Sequence, residues 1–197
     1  MTRQRRVDMI ATTRAKLITA GRRAFASKGY ADTAMEDLTA DAALTRGALY
    51  HHFGGKKGLL AAVIAQIDAE TSQRLKDILE KAPTLWDGFV EENVAWVKLA
   101  LEPEVRRIVL LDGPAVLGDH GRWPSRSACL ADTRDSIALL IDQGIVKPID
   151  PEAAAYLVNG AALNASLWIA AADDPDAASV KAVAGLRTLL RGLRTDA

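Results

Sequence analysis

Apolar residues recur along this chain at spacings of three and four, which predicts an all-α protein of about nine helices. Leu17, Ala20, Ala24 and Phe25 make the first stripe, on a helix capped by Thr12 or Thr13 and closed at Gly29. Thr33 and Glu36 have capping-box spacing, so a second helix starts there with Met35, Leu38 and Ala42 turned inward. Leu44 plugs a short junction. Thr45 caps a third helix, TRGALYHHF, whose Leu49 and Phe53 face the core and which ends at Gly54-Gly55. Two short helices joined this tightly fit a helix-turn-helix, whose second member enters the major groove of DNA.

A fourth helix runs from Lys57 to about Glu80, apolar at Leu60, Val63, Ile64 and Ile67 and polar in its second half. Further helices are predicted over 84–101, from Val105 to Leu111, from Arg126 to Gln143, from Pro151 to about Ala172, and from Pro175 through Arg191. The Asp112–Gly118 stretch should not continue a helix through Pro114. The chain thus divides into a three-helix, helix-turn-helix domain over 1–56 and a helical body over 57–197.

Charge sharpens this division. The formal net charge is zero, yet residues 1–60 hold eleven Lys/Arg against five Asp/Glu, and the rest hold fourteen against twenty. A basic head on an acidic body is the footprint of a nucleic-acid reader. Arg3, Arg5 and Arg6 precede any firm periodicity and read as a tail, either frayed or able to reach a DNA backbone or minor groove. The N-terminus has no apolar run of the secretory kind, no stretch offers eighteen consecutive apolar residues, and the single Cys129 has no partner for an internal disulfide. These point to a reducing cytoplasm. His51 and His52 are adjacent, so they point about 100° apart on a helix and do not make a metal site; no metal or cofactor is called for. Asp119, His120, Cys129 and Arg134 form no nucleophile–base set, so an enzyme is the least favoured reading.

The wording of the head carries a resemblance. AGRRAFASKGY over 20–30, TAMEDL over 33–38, TRGALYHHF over 45–53 and KGLL over 57–60 resemble the TetR family of transcriptional regulators across roughly Thr13 to Ile64. Beyond it the chain looks like that family's variable helical ligand-binding domain. One departure is Ala43, which stands where the family usually has glycine; a side chain in a left-handed turn costs about 1–2 kcal/mol.

Arg46, at the start of the third helix, suits a base edge, since guanidinium pairs bidentately with guanine. Gly47 keeps the approach close. Tyr50 and His51 fit phosphate contacts, a role the resemblance also assigns them. Thr33 offers a hydroxyl and a backbone N–H to phosphate, Thr45 caps the reading helix, and Lys57 clamps the backbone with Lys56 as its substitute.

In the body, Trp86, Phe89, Asn93 and Trp96 share one helix face, and His120, Trp123 and Arg134 can contribute from facing segments. They line either a ligand pocket or only the core. The resemblance implies an apolar or aromatic small-molecule effector. The last two helices are unusually apolar, and Tyr156, Gly160, Leu163, Leu167, Leu186 and Leu190 are expected to pair two copies in a four-helix bundle. The expected function is a ligand-responsive regulator, most simply a homodimeric repressor of a palindromic operator. The alternative is a helical dimer acting through protein contacts.

Overall fold

The computed structural model describes residues 3–118 and 123–196, apart from the side chains of Arg3, Gln4, Arg6 and Pro124. Nine α-helices follow one another among these residues: α1 (Arg3–Lys28), α2 (Met35–Asp41), α3 (Arg46–Phe53), α4 (Lys56–Lys81), α5 (Leu85–Lys98), α6 (Gly113–Leu117), α7 (Pro124–Asp142), α8 (Pro151–Ala171) and α9 (Pro175–Arg191). A 3-10 turn at Leu99–Leu101 and a π-helical stretch at Val105–Asp112 lie between α5 and α6. The chain forms two compact units, residues 1–67 with 107–118, and residues 68–106 with 119–197, so the division falls inside α4.

The first unit is built on Leu17, Phe25, Leu38, Leu49, Leu59 and Leu60, all fully buried. α1 approaches α4 closely because Gly21 has no side chain; a Cβ there would lie 3.0 Å from Leu59 Cδ2. Helix α1 already runs at Arg3, so the arginine-rich start that lacks periodicity is helical, not a tail. Burial does not hold this first stretch, since Val7, Met9 and Ile10 are all exposed. The expected stop at Pro114 is also overturned. Pro114 sits in the first turn of α6, where its missing N–H costs nothing, and the wider π-helical turn before it makes room for the ring. From this stretch Arg107 donates to the Lys28 carbonyl at the end of α1 (2.7 Å), and the Tyr30 N–H donates to Asp112 (2.8 Å).

In the second unit α8 is central and packs on α5, α7 and α9. Its Ala154, Ala155, Ala162, Ser166 and Ile169 are buried, and Asp150 caps its start by accepting from the Ala153 N–H at 2.7 Å. Among the described residues α8 alone is long and apolar enough to cross a membrane by length and composition. Val146 and Arg194 form a single antiparallel bridge that ties the end of the chain to the α7–α8 connection.

The expected pairing face needs correction. Leu186 and Leu190 are buried within their own chain (4% and 1% exposed), because they continue the inward stripe of Ala178 and Ala182. Leu163 is half-buried, whereas Tyr156, Gly160 and Leu167 are exposed. The apolar surface is completed by Leu157, Trp168, Val180 and Leu189, all at least half exposed.

Candidate nucleic-acid interface and effector cavity

Helix α3 forms because Thr45 accepts from the Ala48 N–H (3.2 Å) at its start and Gly54 closes it in the left-handed region, φ 68°. Leu49 anchors it in the core at 0% exposure. That leaves Arg46, Gly47, Tyr50 and His51 in one exposed row on the opposite side, with Lys57 exposed in the first turn of α4. Arg46 is ion-paired with Glu36 of α2, and both side chains are about 60% exposed. Such a pair is worth at most about 1 kcal/mol, so it yields readily to a stronger partner.

Two predicted contacts are differently employed. The Thr33 side chain is buried, its hydroxyl donating to the Gly29 carbonyl at 2.6 Å, and α2 is capped by Ala34 without a side-chain bond. The capping box is not formed, and the hydroxyl is not presented outward. Lys56 donates to the Ala31 carbonyl (3.3 Å) and lies 4.3 Å over the Tyr30 ring, so it braces the loop before α2. Ala43 does take a positive φ of 52°, the conformation for which glycine is best suited.

What the sequence did not disclose is how α3 is held. Arg14 of α1 donates to the His52 carbonyl at 2.8 Å and stacks 4.5 Å over Phe53, gripping the end of the helix. Burial first, then the charges of His51 and Arg14, hold the His52 imidazole below the usual histidine range. Gly58 lets α4 begin directly behind α3, since a Cβ there would fall 1.8 Å from the Phe53 carbonyl oxygen. Among the described residues no three His, Cys, Asp or Glu gather as a metal site would require.

In the second unit the aromatic stripe of α5 splits. Phe89 is core, packed 6.0 Å from Trp86. Trp86 borders a cleft of about 370 Å³ lined by Arg187, Arg191 and Arg194, of which Arg187 is paired with Glu91 (2.8 Å) and Arg194 with Asp196 (2.6 Å). Trp96 instead borders two adjoining cavities of about 30 Å³ each, and Asn93 borders one of them. The Asn93 amide donates to the Phe89 carbonyl of its own helix at 2.8 Å. Trp123 is buried, Arg134 is exposed and paired with Asp135, and His120 lies outside the described residues.

The cavities also hold residues that the sequence does not mark as part of a pocket. Asp68 and Leu75 come from α4, Glu92 from α5, and Arg126 and Cys129 from α7. The Arg126 guanidinium sits 4.2 Å over the Trp96 ring. Burial pushes the Asp68 carboxyl up, against a hydrogen bond from Ser125 and the Arg126 charge. Burial, reinforced by Asp132 and opposed by Lys76, raises Glu92 to about 7. The Cys129 thiol is pushed up by burial, and burial lowers Arg126. Glu92 lies three positions from Phe89 and four from Trp96, so the helical period that marked the aromatics also marks it.

Comparison with known proteins agrees with this geometry. Residues 17–63 match the family model for bacterial regulatory proteins of the tetR family, and residues 86–193 match the tetracyclin repressor-like C-terminal domain. A crystal structure of a TetR-family transcriptional regulator from Pectobacterium atrosepticum is 48% identical, with a TM-score of 0.89 over 99% of this chain and 98% of that one. The regulator UidR of Escherichia coli is 26% identical over 131 residues, 66% of this chain and 63% of UidR, so the match spans under two thirds of that relative. The probable regulator ArpR of Pseudomonas putida is 44% identical over 99 residues, 49% of this chain and 47% of ArpR. Matched over both units, the chain belongs to the TetR family of transcriptional regulators, not to a family of enzymes.

Proposed function

We propose that this regulator is a cytoplasmic homodimeric repressor that binds a palindromic operator and leaves it when a small molecule occupies its body. The observation that carries the reading is the exposed row of Arg46, Gly47, Tyr50 and His51 on a helix whose other face is locked by Leu49 and Arg14. Arg46 is the base reader, Tyr50 and His51 take phosphates, and Lys57 adds a sequence-independent charge contact. Thr45 sets the helix start, and Lys56 acts indirectly by bracing Tyr30.

The exposed surface of Tyr156, Leu157, Gly160, Leu167, Trp168, Val180 and Leu189 supports pairing of α8 and α9 across a two-fold axis. A palindromic operator read in successive major grooves requires two recognition helices about 34–36 Å apart, one turn of DNA. An effector releases DNA only through its different affinity for the DNA-binding and released states, so operator must weaken effector binding reciprocally. The cavities beside Asn93 and Trp96 support the effector site.

The salt dependence of operator binding tests the interface. Lys57→Ala should weaken binding to all sequences alike and lower the slope of log K against log salt by about one. An altered base preference with an unchanged slope would refute the placement of Lys57.

A further inference from the structure

The two cavities beside Trp96 are each large enough for water and too small for an organic molecule. They share four walls, Leu75, Trp96, Arg126 and Cys129. Arg126 lies across the Trp96 face and lines both cavities, so its side chain covers the indole at the place where the two cavities adjoin. Asp68 lies on one side of that divide and Glu92 on the other. Arg126 is the one cation among the described residues that line either cavity. Once it is withdrawn, two carboxylates and an aromatic face remain, and no other lining residue carries a positive charge.

We propose that the joined cavities bind an organic cation, an amine, amidine or quaternary ammonium on an aromatic body, and that Arg126 fills the cation's place when no ligand is bound. This deepens, and rests on, the reading of the body as an effector domain. A cation over the Trp96 face gains from the ring quadrupole and from both carboxylates, whereas an anion would face two like charges. Glu92 supports the choice further: among the described residues its carboxyl makes no hydrogen bond or ion pair. The charged and titratable groups around it are Asp132 and Cys129 from α7, Lys76 from α4, and Arg126, which lines the same cavity; Lys76 is within 3.8 Å of Asp132. A ligand cation would favour ionised Glu92, so binding should release a proton near neutrality and tighten as pH rises.

Isothermal titration of the full chain with three probes of one shape tests this: 2-phenylethylamine, 2-phenylethanol and phenylacetate. At about pH 8 the amine should bind at least about tenfold tighter than the alcohol, with phenylacetate weakest. Glu92→Gln and Asp68→Asn, which keep side-chain shape, should each erode that preference, and Arg126→Met should strengthen amine binding. Lowering the pH to about 6 should weaken the amine more with the native chain than with Glu92→Gln. Equal binding of amine and alcohol, preference for phenylacetate, or binding of none of the three overturns the cation assignment. Operator selection is scored on the same preparation, so these outcomes are separable from failure of the regulator reading, which would appear as absent DNA enrichment.

Discussion

Replacing Glu92 with Gln should stabilise the protein at neutral and alkaline pH and leave it unchanged in acid. Burial and Asp132 hold this carboxyl near 7 in the fold, against an ordinary value of 4.5. The folded chain therefore keeps a proton between these limits that the unfolded chain has lost. Stability contributed by the neutral form is complete below about 4.5, falls as pH rises through the window, and is flat above about 7. Each pH step by which the carboxyl is held up costs about 1.4 kcal/mol, so a fully dry site would cost roughly 3 kcal/mol. Glu92 keeps part of its hydration, and solvent screening reduces the expected cost to about 1–2 kcal/mol. Glutamine is neutral throughout and escapes it.

Urea denaturation followed by far-UV circular dichroism, at one protomer concentration, reads the difference. The variant should exceed the native chain by about 1–2 kcal/mol at about pH 8 and match it near pH 4.5. Comparing the two proteins at each pH cancels the other titrating groups, Asp68 included. A gain of equal size at both pH values, or a loss at pH 8, would refute the burial argument.

Two further substitutions test the reader unit. Gly58→Ala places a Cβ 1.8 Å from the Phe53 carbonyl, so α3 and α4 must separate; a loss of about 2–4 kcal/mol is expected in thermal unfolding, and a native-like melting temperature would contradict the close approach. Ala43→Gly relieves about 1–2 kcal/mol of left-handed strain and returns about 0.4–1 kcal/mol of unfolded-state entropy. A small net gain in denaturant midpoint is expected, and a loss would show that the turn is not strained.

The features legible in the sequence are those fixed by neighbours along the chain. Thr45, Leu49 and Gly54 define α3 through a cap, a spacing and a break, all within one short segment. Thr33 reads as a cap by the same local logic, but the Gly29 carbonyl, at the end of the preceding helix, captures its hydroxyl. The grip of Arg14 on His52 spans 38 residues and leaves no local trace. On α9 an apolar period marks Leu186, Leu189 and Leu190 alike, yet only packing decides that Leu189 faces outward. The candidate effector cavity is half legible. Trp96 and Asn93 stand out as aromatic and amide on one stripe, while Glu92 and Arg126 have the composition of a solvated surface and reveal themselves only when α4, α5 and α7 meet.

Selection of bound duplexes from a randomised DNA pool, with Arg46→Ala run alongside, tests the central claim most directly. The account predicts a palindromic consensus with half-sites one helical turn apart, about 34–36 Å between centres, lost or relaxed in the variant. No enrichment at low or moderate salt, or the same consensus read equally well by Arg46→Ala, would contradict it.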